Sequence, residues 1–500
     1  AVYTALVNPG ETILGMSLLH GGHLTHGSAA NRSGKLFNAA NYTVNPDTER
    51  LDYDQVAELA RQRRPKLIIA GYSSYPWAVD WRRFREIADE VGAILLADIA
   101  HVAGLVAAGA YPSPVGIAHV ITFTTHKSLC GPRGACILAT DPTLARKLDR
   151  AVFPGEQGGP HVHAFAAMAV AFKLNRSQAF RDLMHQTVRN CVALAWRLAA
   201  RGLRIPYGGT DTHLANVDCH SIKAPDGTPL SGDQAARLLD LAGIVVNRNT
   251  IPGDTSAVDP AGIRLGAPWV TQRGMKEAEM IQIADIIADL LQATTPYLQV
   301  ERAGALKRAK VDFDVLEKAK IRARILAERA GIDYTPTRRG YPHYFFIDDL
   351  PPEGAPEAAY RVSGARVRPF LNFALSSPVE TLQAGQSQAT RLHTPQGKVA
   401  GRLTCHSPDE FTLAVPAARA SLAAAWLRDL SDGFVAFDDD PQRKLPGPVV
   451  VRPVESLPAS QAESESGPAR KPYYIGIAAA QAGELPALPE FAWQDVEQPL

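Results

Sequence analysis

The sequence predicts an α/β layered sheet followed by smaller α+β regions. Three short runs are almost entirely apolar and each ends at a polar residue or a glycine: residues 66–71, 93–98 and 119–125. Such runs are typical of parallel strands that are buried on both faces. Between them, the apolar residues of segments 53–63 and 81–91 have helical spacing. Alternation of strand and helix favours a parallel sheet covered by helices.

Composition limits the classes of partner. With 500 residues, the chain is too long for one ordinary core, so we expect two or three domains. A net charge of +1 and the lack of a long apolar run give no case for nucleic acid or a membrane. The five cysteines are scattered without a CxxC pair, which argues against disulfides and bound metal and favours a cytoplasmic location.

Changes of pattern along the chain predict six segments. They are a large N-terminally incomplete domain (1–176), a smaller α+β domain (177–300), a helical connector (301–340), a third α+β block (341–454), a flexible linker (455–470) and the start of an unfinished segment (471–500). In the smaller domain we expect helices at 181–200, 233–242 and 274–291 and strands at 215–218 and 244–247. In the third block we expect strands at 398–403 and 410–415 and a helix at 417–430.

Several polar residues stand where an α/β sheet collects its functional groups, beyond the carboxyl ends of the strands. Asp98 ends one apolar run, His101 lies three residues further on, and Lys127 follows the next run. Arg264 is an isolated charge in the glycine-flanked run 262–266, which indicates an anion as its partner. A lysine for an imine, a carboxylate for the pyridine nitrogen and an arginine for a carboxylate are what pyridoxal phosphate (PLP) enzymes require.

The same residues also have ordinary structural interpretations. A lysine in a polar turn is usually a surface residue, and an aspartate at a strand end is usually a helix cap. An arginine between glycines is often only part of a turn. Spacing alone therefore leaves a PLP site as one alternative among these.

Longer motifs carry a resemblance to a known family. They are HGGHLTHG (20–27), DIAHVAGLV (98–106), TTHKSLCGPRG (124–134), VFPGEQGGP (152–160) and GIRLG (262–266). In this order they resemble serine hydroxymethyltransferase, and the resemblance runs from Ala1 to about residue 298. It implies a fold-type-I PLP transferase that converts serine and tetrahydrofolate to glycine and 5,10-methylenetetrahydrofolate. It also implies a homodimer with sites shared across the interface.

The resemblance assigns roles to particular residues. Lys127 is the Schiff-base lysine, Asp98 the partner of the pyridine nitrogen and His23 the ring stacked on the cofactor. Other cofactor positions are Ser73 and His101 near the 3′-oxygen, His126 at the phosphate and Gly159 at the phosphate of the partner subunit. Thr124 lies near the substrate-bound cofactor and Arg264 binds the substrate carboxylate. Folate-contact positions are Leu18, Gly22, Leu24 and Asn249.

Two departures from the family pattern bear on activity. The family's phosphate-binding Ser-Gly-Ser loop and its proton-handling glutamate precede the segment that matches Ala1 onward. We therefore expect this chain alone to bind PLP weakly and to have little activity. The run 254–261 also lacks the family's Ser-Pro-Phe-type sequence, so folate contacts there stay open.

The third block has a different resemblance. The runs LQAGQ (382–386), LHTPQGK (392–398) and WLRDLSDG (426–433) resemble parts of the folate-binding aminomethyltransferase of glycine cleavage. An accessory domain without chemistry is the alternative for this block. For the whole chain, the alternatives are a folate-independent threonine or β-hydroxy-amino-acid aldolase and a non-catalytic dimeric scaffold.

Overall fold

The computed structural model of the chain describes residues 1–301, 304–330, 355–443 and 445–454. The predicted boundary near residue 340, the linker 455–470 and the segment 471–500 lie outside the described residues. Ala1–Val454 form one contiguous unit. Among the described helices, none has the length and apolar character needed to cross a bilayer.

The N-terminal part contains a six-stranded sheet. Its strands are β1 (Thr12–Met16), β2 (Asn38–Tyr42), β3 (Leu67–Ala70), β4 (Ile94–Asp98), β5 (Val120–Thr124) and β6 (Ala135–Ala139). The order is β2-β1-β3-β4-β5-β6, with β1 to β5 parallel and β6 antiparallel to β5. The helices are α1 (Val2–Leu6), α2 (Arg32–Leu36), α3 (Tyr53–Arg63), α4 (Trp81–Val91), α5 (Ala103–Ala108), α6 (Pro142–Arg150) and α7 (Val162–Asn175). The predicted mostly parallel sheet is confirmed.

Apolar side chains cover both faces of this sheet. Leu67 and Ile69 of β3 belong to one buried cluster, whereas Ile68 and Ala70 belong to another. This alternation follows from the two-residue period of a strand. Near-continuous apolar strands are therefore sandwiched between two layers, as the sequence predicts.

Helices α3 and α4 begin and end where local chemistry requires. The carboxylates of Asp52 and Asp80 each accept two backbone N–H bonds at the helix start, which satisfies donors that have no partner within the helix. Gly92 ends α4 in a left-handed conformation. Both predicted helices are confirmed.

A smaller α+β part follows. It contains α8 (Gln178–Ala200), β7 (Leu214–Asp218), α9 (Gly232–Leu241), β8 (Asn247–Asn249), β9 (Gly262–Gly266), α10 (Pro268–Gln272) and α11 (Glu277–Gln292). Its antiparallel sheet has the order β7-β9-β8. The strand predicted at 244–247 instead begins at Asn247. The amide of Ile244 donates to Leu239 O at 2.8 Å, so this segment completes the end of α9.

The predicted helical connector is partly wrong. A hairpin of β10 (Thr294–Glu301) and β11 (Gly304–Val311) comes first, and only then does α12 (Phe313–Arg329) begin. The residues of β11 favour a helix by propensity. However, Val311 exchanges backbone hydrogen bonds with Phe434 and Ala436, and tertiary pairing of this kind overrides propensity.

The third block is an antiparallel sheet with two helices. Its elements are β12 (Glu357–Ser363), α13 (Val367–Ala374), β13 (Ser387–Thr394), β14 (Gly397–Ser407), β15 (Glu410–Pro416), α14 (Ala420–Asp432) and β16 (Val450–Pro453). The order is β13-β14-β15-β12-β16. Both predicted strands lie within β14 and β15. The predicted helix is present, although its first turn, Ala417–Arg419, is a 3₁₀ turn.

One hydrophobic cluster runs from Leu194 of the smaller part to Val451 of the third block. Three charged side chains lie in the same region, which we call the α12–α14 junction: Lys320 and Asp429 are buried, and Glu317 is partly buried. The Lys320 ammonium donates to Glu317 Oε1 at 2.7 Å and to Asp429 Oδ1 at 2.6 Å. The third block is thus packed against the smaller α+β part through α12.

Candidate active site

Three neighbouring strands end at the same edge of the six-stranded sheet and bring the predicted residues together. Ser73 follows β3, Asp98 is the last residue of β4, and Lys127 follows β5. The parallel direction of these strands places all three beyond their carboxyl ends. Gly71, just before Ser73, has φ +129°, and a Cβ there would stand 1.8 Å from Asp98 O. The close approach of these two chain segments therefore requires glycine.

Asp98 is held by a histidine that the sequence analysis did not single out. The Asp98 Oδ2 atom lies 3.0 Å from Nε2 of His26, which is buried, and Oδ1 accepts the amide of Ala100. Burial opposes ionisation, but the hydrogen bond and charge of His26 and the Ala100 amide outweigh it, so the pKa of Asp98 is lowered. The site therefore keeps a carboxylate.

His23 stands on the same short turn. It precedes the 3₁₀ turn Leu24–His26, and its Nδ1 lies 2.8 Å from Thr25 Oγ1. His26 Nδ1 in turn accepts the backbone amide of His23 at 3.3 Å. Burial and the neighbouring positive groups lower the pKa of His23, so its ring is neutral near pH 7.

The loop that carries Lys127 is tied to the loop of His101. Ser128 Oγ donates to His101 O at 2.8 Å and accepts the amide of Gly104 at 3.0 Å. Burial lowers the pKa of Lys127, as does the charge of Arg264, whereas Asp98 acts against this shift. A lysine with a lowered pKa has more of the uncharged amine that attacks carbonyl carbon.

The remaining large-domain residues have defined partners. Thr124 Oγ1 donates to Ala100 O at 3.2 Å, and His126 Nδ1 accepts the amide of Gly134 at 3.4 Å. Burial and nearby positive groups lower the pKa of His101 well below its usual value. His101 is therefore a neutral ring beside Lys127.

The smaller part contributes an arginine. Arg264 of β9 donates from Nη1 to Ser73 O at 2.6 Å and to Ser73 Oγ at 3.3 Å. Burial alone lowers the pKa of its guanidinium. We call Lys127, Asp98, His23, His101 and Arg264 the Lys127 cluster. The charges of its basic members act on one another, so several basic groups face one carboxylate.

Of the four predicted folate positions, Leu18 lines a cavity of the structure. This cavity of about 430 Å³ is lined by Leu18 and His23, among others. Gly22 has no room for a side chain, because a Cβ would stand 2.1 Å from Met16 O. Leu24 is 44% exposed. Asn249 lies beside Thr250, whose hydroxyl donates to Leu18 O at 3.0 Å.

Gly159 is not brought into this cluster by any contact that the structure shows. It lies in an exposed stretch with φ +30°, and nothing stands within 4 Å of where its Cβ would be. Its predicted contact lies on a second subunit, so it stays a prediction.

The residues present fit PLP. Asp98 is a carboxylate kept ionised next to a lysine, and His23 is a neutral flat ring on the cavity wall. The positive surplus of the Lys127 cluster suits an anionic ligand. Among the described residues, no group of three or more His, Cys, Asp or Glu is arranged to hold a metal ion.

Comparisons with known proteins show the family of the chain. A family model described as "Serine hydroxymethyltransferase" matches residues 1–287. The chain belongs to the serine hydroxymethyltransferase family. It is 53% identical over 298 residues to a serine hydroxymethyltransferase of Synechococcus sp. (strain JA-3-3Ab), an alignment that covers 58% of this chain and 69% of that relative.

Membership fixes the chemistry and the fold. Serine hydroxymethyltransferases are fold-type-I PLP enzymes, and they interconvert serine and tetrahydrofolate with glycine and 5,10-methylenetetrahydrofolate. The predicted activity, cofactor and co-substrate are thus confirmed.

Sequence reasoning missed His26. It stands three residues after His23 in the same motif, and that spacing places both side chains on one short helical turn. The signal was present in the sequence, but its partner Asp98 is 72 residues away.

Proposed function

We propose that the Lys127 cluster is the catalytic centre for transfer of the serine hydroxymethyl group to tetrahydrofolate. The observation that supports this most strongly is the meeting of Lys127, the His26-bound Asp98 and Arg264 at one sheet edge. Each has the chemical type that its role requires, and each role is one that the family resemblance implies.

Bound PLP supplies an electron sink for the bond that breaks at the amino-acid α-carbon. In this proposal, Lys127 anchors the cofactor, and Asp98 keeps a proton on the pyridine nitrogen. The ionised state of Asp98 favours that proton. His26 acts on Asp98 by donating its Nε2–H, and the neutral ring of His23 would stack on the cofactor ring.

Arg264 binds the substrate carboxylate in this scheme. A guanidinium matches two carboxylate oxygens with two parallel hydrogen bonds. Its present contact with Ser73 O holds it at the site. Thr124, His101, Ser73 and His126 contact substrate or cofactor around it.

Tetrahydrofolate would enter on the side of Leu18, Gly22, Leu24 and Asn249. The cavity lined by Leu18 and His23 supports this for Leu18, because it offers a concave space beside the ring proposed to stack on the cofactor. The bond from Thr250 to Leu18 ties the smaller part to that wall.

Serine cleavage with and without tetrahydrofolate separates this proposal from the aldolase alternative. We expect glycine formation from serine to depend on tetrahydrofolate. Equal rates in its absence would instead support a folate-independent aldolase. A separate titration of the cofactor-free chain with PLP measures how tightly this chain alone binds PLP, which tests the expected weak binding.

Replacement of Lys127 separates an enzyme from a non-catalytic scaffold. Lys127→Ala should abolish both the visible absorbance of the covalently held cofactor and the activity. Lys147→Ala is the matched control, since Lys147 is an exposed lysine of α6. Survival of the absorbance and activity in Lys127→Ala would show that another group holds the cofactor.

We also propose that two copies pair through α7. Several apolar side chains of this helix and its surroundings are exposed, which is costly for a monomer: Leu138, Phe153, Val162, Phe165, Val170 and Leu174. Gly159 lies close to this surface in the sequence, and the resemblance predicts that it contacts the phosphate bound at the partner subunit's site. Phe165→Ser should shift the sedimentation of the chain toward monomer.

For the third block we propose a folate-binding role related to aminomethyltransferase. The short motifs named above support it, and the antiparallel sheet β12–β16 is its scaffold. Leu24→Arg should block the proposed folate site beside Leu18. Equilibrium binding of tetrahydrofolate that persists in this variant would reveal a second site. A cytoplasmic location stays a prediction, consistent with five free cysteines.

A further inference from the structure

His213 lies beside the Lys127 cluster and has no role in the scheme above. It precedes β7 and is 7% exposed, and its carbonyl accepts the amide of Ala267. Its ring is nearly parallel to that of His101, with 5.8 Å between centroids and 25° between planes. The smaller part thus places a flat ring against a ring of the large sheet region.

No hydrogen bond accounts for this arrangement. Nδ1 of His213 is buried without a partner, and the His101 ring has no side-chain hydrogen bond among the described residues. An unpaired buried nitrogen costs free energy that an apolar ring of the same shape would not. Sequences depart from local stability rules mainly at functional sites.

The electrostatic state of His213 supports a role without charge. Burial lowers its pKa to about 3, and the charges of Arg264 and Lys127 act in the same direction. The ring is therefore neutral at pH 7. A neutral ring can stand beside His101 and Lys127 without adding a further positive charge to the cluster.

We propose that His213 is a positioning residue of the hydroxymethyl-transfer site, whose flat neutral ring holds the His101 ring in its working orientation. This inference rests on the proposed function of the Lys127 cluster. His213 acts through His101 and belongs to the smaller part, so it also couples the placement of that part to the cofactor side of the site.

The test compares His213→Ala and His213→Phe in the full chain loaded with PLP. His213→Ala removes the ring, and we expect kcat to fall about tenfold while KM for serine stays within about threefold. His213→Phe keeps a flat ring, so its kcat should lie within about threefold of the unmodified chain. His185→Ala, an exposed histidine of α8, is the control.

Two further readouts exclude a simple folding defect. Visible circular dichroism of the bound cofactor should fall in His213→Ala and be retained in His213→Phe. Thermal unfolding of cofactor-free His213→Phe should occur at or above the temperature of the unmodified chain, because an unpaired buried nitrogen is gone.

Any order of kcat other than unmodified chain, then His213→Phe, then His213→Ala would overturn the inference, as would unchanged dichroism in His213→Ala. If the unmodified chain binds no cofactor, the proposed function fails and this inference fails with it. Normal turnover in all three proteins would refute only the role of His213.

Discussion

Buried charges are arranged in opposite ways in the Lys127 cluster and at the α12–α14 junction. At the junction, Lys320 is bonded to two carboxylates, Glu317 and Asp429, and all three side chains lie within the fold. In the cluster, several basic groups surround the carboxylate of Asp98. At the junction the ammonium is already bonded to carboxyl groups of the fold, whereas the cluster has positive charge available for a ligand.

The difference separates charges that hold a fold from charges that hold a ligand. A buried ammonium that is already bonded to two carboxyl groups has no further use for an anion. A surplus of basic groups at the carboxyl edge of a parallel sheet attracts one. Substitutions in the two regions should therefore affect different properties.

Lys320→Met should give the largest effect, and it should be on stability alone. Removing the ammonium leaves Asp429 and Glu317 buried without their cation, which costs about 3–5 kcal/mol in the free energy of unfolding. Urea unfolding measures it. Lys318→Met, at an exposed position of the same helix, is the control. A loss below 1 kcal/mol would mean that the junction is not structural.

Asp98→Asn should impair activity and leave stability almost unchanged. The amide cannot hold a proton on the pyridine nitrogen, so kcat should fall by about 10²- to 10³-fold, the usual loss of one aligned electrostatic group. Thermal unfolding should change little by comparison with Lys320→Met. Asp89→Asn, an exposed aspartate of α4, is the control. Wild-type turnover in Asp98→Asn would remove Asp98 from the centre.

His26→Leu tests the second residue of this pair. Without the Nε2 donor, the pKa of Asp98 should rise and kcat should fall about tenfold, because a hydrogen bond to a charged group is worth roughly 1.5–3 kcal/mol. His26→Gln keeps a donor and should recover most of the loss. If His26→Gln and His26→Leu are equally slow, the hydrogen bond to Asp98 is not the reason.

The stability contributions of His213, beside the Lys127 cluster, and of Glu317, at the α12–α14 junction, should depend on pH in opposite directions. Burial lowers the pKa of His213 to about 3 from 6.5, so its contribution to stability is present above pH 6.5 and is lost as the pH falls toward 3. Burial raises the pKa of Glu317 to about 7 from 4.5, so its contribution is present below pH 4.5 and is lost as the pH rises through 7.

Urea unfolding across this pH range measures both effects, which are the smallest of the four. His213→Phe should reduce the loss in the free energy of unfolding at acid pH. Glu317→Gln should reduce the loss at alkaline pH. If His213→Phe changed only the alkaline pH dependence, or Glu317→Gln only the acid one, the assignment of these groups would be wrong.

The sequence predicts the sheet strands and the position of the site well, because these depend on local pattern. Asp98 and Lys127 follow apolar runs, and parallel strands bring their ends together. Contacts between distant residues could not be read in this way. Arg264 meets Ser73 across 191 residues, and Lys320 meets Asp429 across 109. The strand β11 was missed because its hydrogen bonds to β10 and, at Val311, to Phe434 and Ala436 override its helical composition.

Reduction of the PLP-loaded chain with borohydride tests the central claim most directly. This step makes the covalent link to the cofactor permanent, and peptide mass spectrometry then locates it. We predict one modified peptide, which contains Lys127, and none in Lys127→Ala. A modification at another lysine, or none in the unmodified chain, would contradict the assignment of Lys127 as the cofactor anchor.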